Sequence, residues 1–89
     1  ATENDLNTLG YELLGWGDLA DAASLFRLNA ETYPESWNVH DSFGEALAAT
    51  GRRDAAITAY ERSLELNPDN ENGRAALNRL RREPTRNRP

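Results

Sequence analysis

The stretch LNTLGYELLGWGDLADAASLFRLNAETYP at residues 6–34 is answered by HDSFGEALAATGRRDAAITAYERSLELNP at residues 40–68, and this pair decides the fold. Gly10 and Gly44, Leu13 and Leu47, Gly17 and Gly51, Ala22 and Ala56, Phe26 and Tyr60, and Pro34 and Pro68 each stand 34 residues apart. An internal period of that length predicts stacked helical hairpins, because each helix–turn–helix unit has an apolar face that only its neighbour can cover.

Working outward, Thr2-Glu3-Asn4-Asp5 offers an N-cap followed three residues later by an acid, and Leu6, Leu9, Gly10, Leu13 and Leu14 recur at helical spacing. A first helix is expected from about Glu3 to Gly15, with Gly17 supplying a left-handed turn. Asp18 is placed to cap a second helix, whose apolar stripe is Leu19, Ala22, Ala23, Leu25, Phe26 and Ala30, ending before Pro34. Ser36 is placed to cap a third helix over Trp37–Thr50, Gly51 breaks it, and a fourth runs from Arg53 to Leu66. Asn67-Pro68-Asp69-Asn70 reads as a turn and cap before a fifth helix from Glu71 to about Glu83, which Pro84 stops. The expected layout is a first repeat over 1–35, a second over 36–70, a capping helix over 71–83 and a disordered tail over 84–89. Gly10 and Gly44 cost about 1 kcal/mol each inside helices. The sequence suggests that they face Ala22 and Ala56 where the hairpin axes come closest, with Phe26 and Tyr60 one turn further on.

A chain of 89 residues is one small domain, and repeats relieve the difficulty of building a single large core at that size. With no Cys and one His, disulfides and most zinc geometries are excluded, and no cofactor or metal is expected. Fourteen acids against four arginines give residues 1–71 a net charge of −10, while six arginines against Glu83 give residues 72–89 a net of +5. The acidic body disfavours nucleic acid, and no apolar run suggests a membrane span or signal peptide. The chain opens Ala-Thr-Glu without Met, which reads as a piece of a longer or processed protein and leaves the compartment open.

These residues resemble the tetratricopeptide repeat (TPR). The match covers residues 3–70 as two repeats and 71–83 as the first helix of a third. Leu6 and His40 stand where that family favours Trp, and Asn78 replaces the glycine in the last helix, where no further helix follows. The resemblance implies an all-α antiparallel stack of five helices whose fifth is a polar cap. It implies a non-catalytic scaffold that binds a protein or peptide. A narrower resemblance joins Leu-Asn-x-Leu-Gly-Tyr at 6–11, Phe-Arg-Leu-Asn-x-Glu-x-Tyr-Pro at 26–34 and Tyr-Glu-x-Ser-Leu-Glu-Leu-Asn-Pro at 60–68 to repeat tails of bacterial serine hydrolases. That likeness implies a parent catalytic domain, exported from the cytoplasm, on which this module docks or which it dimerises, without a ligand of its own.

In the TPR architecture the first helix of each pair lines a concave groove. Phasing from Gly10 and Gly44 places Asn4, Asn7 and Tyr11 there in the first repeat, Asn38, Asp41 and Glu45 in the second, and Asn72 and Arg79 in the capping helix. Asn4, Asn38 and Asn72 are again 34 apart. Their amides are suited to clamping an extended peptide backbone, or else each serves the first turn of its own helix. The family's grip on a C-terminal carboxylate needs Lys and Arg on these faces. This chain has Asn7, Tyr11, Ser42, Asn72 and Ala76 instead, so a basic or mixed-charge ligand suits it better. Trp16 and Trp37 are expected to pack over repeat junctions and His40 to lie in the core; Ser36 or Ser42 with His40 and Asp41 forms no hydrolytic constellation. An isolated fragment of this kind is expected to be monomeric.

Overall fold

A computed structural model describes residues 2–83, and the tail expected over 84–89 lies outside the described residues. Five helices follow one another: α1 (Glu3–Gly15), α2 (Leu19–Thr32), α3 (Trp37–Ala49), α4 (Arg53–Leu66) and α5 (Glu71–Arg82). The expected all-α stack is what the chain forms, with α3 and α5 each ending one residue earlier than the sequence suggests. α1 packs on α2, α2 on α3, α3 on α4 and α4 on α5, while α1 also touches α3. The odd-numbered helices therefore share one side of the stack.

The turns inside the hairpins repeat atom for atom. Gly17 and Gly51 adopt φ of 84° and 83°. Gly17 N donates to Leu14 O and Asp18 N to Leu13 O; Gly51 N donates to Ala48 O and Arg52 N to Leu47 O. This is the Schellman closure, which satisfies the last helical carbonyls and requires a residue without a Cβ in the left-handed region. Gly51→Ala is expected to lower the unfolding free energy by about 1–2 kcal/mol, measured by urea denaturation. An Ala variant at Gly15, where a Cβ meets nothing within 4 Å, serves as the unstrained control.

The starts of the helices differ. Thr2 and Asp5 form the expected capping box, with Asp5 N donating to Thr2 Oγ1 at 3.1 Å and Thr2 N to Asp5 Oδ2 at 3.2 Å. Asn70 caps α5 by accepting from Gly73 N at 3.1 Å. Asp18 and Ser36 stand at N-cap positions without making a side-chain cap bond. Ser36 Oγ donates instead to Glu3 Oε2 at 2.6 Å, tying the second hairpin to the start of the first.

The repeat also carries its polar joints at the same period. Asn29 Nδ2 donates to Glu3 O at 3.1 Å, and Ser63 Oγ, 34 residues on, donates to Trp37 O at 2.9 Å. Both acceptors are first-turn carbonyls, and both donors are fully buried. Each bond pins the end of one helix to the start of its hairpin partner. His40 Nε2 meets Pro34 O at 2.8 Å, and Arg74, at the equivalent position in α5, donates to Pro68 O. His40 is thus a half-buried junction residue rather than a core His.

The core runs in two linked clusters, Ala22, Phe26 and Ala46 in one and Leu47, Ala56, Ala59, Tyr60, Ala76, Leu77 and Leu80 in the other, bridged by Phe43. The structure corrects the expected small-on-small contact. A Cβ on Gly10 would stand 2.5 Å from Phe26 Cε1, and one on Gly44 would stand 2.9 Å from Tyr60 Cε2. The glycines cradle the aromatic rings themselves. Trp16, expected at a repeat junction, is 70% exposed on the α1–α2 turn, and Trp37 is 37% exposed.

Candidate functional site

The shared side of α1, α3 and α5 carries a polar cluster built directly on the Phe26 cradle. Tyr11 stands one residue after Gly10, and its ring meets Phe26 edge-on at 5.1 Å between centroids and 65° between planes. Such pairs add about 0.5–1.5 kcal/mol beyond area burial. The ring of Phe26 therefore sets where Tyr11 points. Its hydroxyl donates to Glu45 Oε1 at 2.9 Å and shares a hydrogen bond with Ser42 Oγ at 3.1 Å. Tyr11 and Glu45 are equivalent residues of successive repeats, so this contact joins the two copies across the seam between α1 and α3.

The cluster gathers the charges of Asp41 and Glu45 about the Tyr11 hydroxyl, with the charge of Arg79 felt at Tyr60. Burial pushes the Tyr11 hydroxyl up to about 12; its bond to Ser42 works against this, and the Glu45 and Asp41 charges add to it. Burial likewise raises the Asp41 carboxyl, with the Asn70 side chain opposing the shift and Glu45 reinforcing it. Asp41 and Glu45 are four residues apart on one helix face, where like charges repel. Tyr60 is also pushed up, first by burial and then by Asp41, Glu45 and Tyr11, while Arg79 acts in the opposite sense. At neutral pH Tyr11 and Tyr60 are hydroxyl donors, and the charged members are the acids Asp41 and Glu45 together with Arg79.

Tyr11, Asp41, Glu45 and Arg79 thus act on one electrostatically connected patch. Asn4 and Asn72 are exposed and Asn38 half-buried, each the second residue of its helix. The cap bonds of α1 and α5 come from Thr2 and Asn70, not from Asn4 and Asn72. Asn7 is half-buried, and its Oδ1 is shielded from solvent with no partner among the described residues. Ser42 lies in the patch through its bond to Tyr11, and Tyr60 and Asn70 join it without having been singled out. Tyr60 was detectable in principle, since a hydroxyl at the position held by Phe26 in the first copy has a use only if something polar lies within reach.

Two observations bear on chemistry. Among the described residues no group of His, Asp and Glu side chains has the arrangement of a metal site. No helix among them is long and apolar enough to cross a membrane.

The fold is a stack of helical hairpins. Residues 37–70 match the family model of the tetratricopeptide repeat. Such repeats mediate protein–protein interaction and are typically non-catalytic. No curated protein matches the chain.

Proposed function

We propose that the chain binds a basic or mixed-charge segment of a protein partner in the groove of α1, α3 and α5, and that it is no enzyme. The observation carrying this reading is the arrangement of Asp41 and Glu45 around the Tyr11 hydroxyl. Asp41 is raised by burial and by Glu45, which means that its charge is held at a cost. An Arg or Lys side chain of a ligand relieves that cost and stacks its stem on the half-exposed Tyr11 ring. Asn4, Asn7, Asn38, Asn72 and Arg79 extend the contact along the groove.

The test uses isotopically labelled chain and a short synthetic peptide in which Arg alternates with Leu. Amide shifts at Tyr11, Asn38 and Glu45 are expected, with an affinity that falls as salt rises. Glu45→Gln is expected to weaken binding about threefold to tenfold, in keeping with one solvent-accessible charge pair of roughly 0.5–1.5 kcal/mol. Equal binding of an Asp-for-Arg peptide sinks the reading.

A second reading rests on the narrower sequence likeness together with the exposed Trp16, Leu28 and Leu9. Under it the module is the C-terminal part of a bacterial hydrolase and docks on, or dimerises, its parent. The parent's reading frame decides: a Ser-x-x-Lys or Gly-x-Ser-x-Gly motif upstream supports the appended module, and a parent without a catalytic domain removes it.

A further inference from the structure

The face opposite the groove holds a second concavity that the groove reading does not use. α2 and α4 flank it, and α3 forms its floor. On α3, Asp41 and Glu45 point one way, whereas His40, Phe43 and Leu47, offset by about half a helical turn, point the other. A cavity of about 620 Å³ is lined there by Arg27, Ala30, His40, Phe43, Ala59 and Arg62, among others. A smaller depression of about 280 Å³ continues it towards Ala20, Ala23 and Arg52, sharing Arg27, Phe43 and Leu47 with the first. The two make one cleft along the outer side of the stack.

Its charge is the reverse of the molecule's. Residues 1–71 contain four arginines, and three of them, Arg27, Arg52 and Arg62, line this cleft against the single carboxylate Glu31. Arg62 is drawn towards Glu65 at 3.1 Å and Glu35 at 3.7 Å. Arg27 and Arg52 form no ion pair among the described residues. The strongly acidic stretch 1–71 has therefore gathered three of its four arginines around one apolar floor. Apolar floor and cationic rim are the complement of a segment with an apolar anchor between carboxylates.

We propose that the α2–α4 cleft docks an acidic segment of a protein partner, an aromatic or leucine side chain seated on Phe43, Leu47 and Ala59 with flanking carboxylates on Arg27, Arg52 and Arg62. The molecule then presents two faces of opposite charge preference, basic ligand on α1, α3 and α5 and acidic ligand between α2 and α4. One chain can hold both at once, since α3 contributes different sides to each.

The probe is a short synthetic peptide with one Leu-Phe pair between runs of Asp and Glu, titrated into isotopically labelled chain. The expected result is amide shifts at Ala23, Ala30, Phe43 and Ala59, with binding weakened by salt. Arg27→Glu combined with Arg62→Glu is expected to weaken it by about tenfold or more, and Lys at both positions to restore most of it. Ala55→Trp, an exposed cleft position on α4, blocks the cleft without altering charge and keeps the test decisive if the charge reversals unfold the chain. Absence of these shifts, equal binding by the same peptide carrying Lys and Arg, or shifts confined to the groove overturns the proposal. So do concentration-dependent shifts of the peptide-free chain at the same amides, which assign the cleft to a second copy.

Discussion

Phe26→Ala is expected to lower the unfolding free energy by about 3–5 kcal/mol, the largest loss of any single substitution considered, because Phe26 is fully buried and is the largest such side chain. Small domains hold roughly 5–15 kcal/mol in total, so this variant should be extensively unfolded or show a sharply lower Tm by circular dichroism. The ring and Gly10 are a matched pair, which permits a sharper test. Helix propensity alone predicts that Gly10→Ala stabilises by about 1 kcal/mol. The cradle predicts the opposite, because the new methyl would stand 2.5 Å from the Phe26 ring and overpacking costs about 1–3 kcal/mol. In a Phe26→Leu background the obstruction goes, and Gly10→Ala should become neutral or stabilising. A coupling energy near zero in that double-mutant cycle means that the ring does not need the glycine. Phe26 is also the support of Tyr11, so even a folded Phe26→Leu chain should show altered Tyr11 shifts.

The second large effect is expected at Ser63. Its hydroxyl donates to Trp37 O at 2.9 Å and accepts from Asn70 Nδ2 at 3.0 Å, while Asn70 Oδ1 accepts from Gly73 N. One buried hydroxyl thereby ties the end of α4 to the start of α3 and to the cap of α5. Ser63→Ala removes the acceptor of the buried Asn70 Nδ2 and one of the donors to the part-buried Trp37 O, and a buried orphan costs about 1–3 kcal/mol. A loss of about 1–3 kcal/mol is expected, with hydrogen exchange accelerating first in α5, which packs mainly on α4. Ser63→Asn should recover part of it, since Asn29 makes the equivalent bond in the first hairpin. A loss under about 0.5 kcal/mol would place the joint among ordinary surface contacts.

Much of this molecule was legible in the amino-acid order, and the particular misses have physical reasons. The 34-residue period carried the five helices, and the left-handed turns followed from Gly17 and Gly51. The partner of each helical glycine was missed because spacing along the chain aligns Gly10 with Ala22, whereas ring direction is set by the side-chain rotamer of Phe26. The polar joints were missed because Asn29 and Ser63 look like ordinary surface residues in a helical pattern; only burial reveals them. Phasing sets Tyr11, Asp41 and Glu45 on matching faces of their helices, yet the bond that joins Tyr11 to Glu45 depends on how α1 and α3 cross. The cleft between α2 and α4 has no signature in sequence at all. It arises because Arg27, Arg52 and Arg62, scattered along the chain, converge only when the hairpins stack.

The groove account is tested most directly by Asp41→Asn, with stability and peptide binding measured on the same protein. The folded-state pKa of Asp41 is raised above 3.8, so its contribution is most favourable below the unfolded value and is lost as pH rises through the folded value. The amide removes the repulsion with Glu45, and a gain of roughly 0.2–0.5 kcal/mol at neutral pH is expected, shrinking towards zero in acid. The same variant should bind the Arg-Leu peptide several-fold more weakly. A variant that is more stable and binds less well is the result the account predicts. One that is less stable at neutral pH, or that binds the basic peptide as well as the parent, contradicts it.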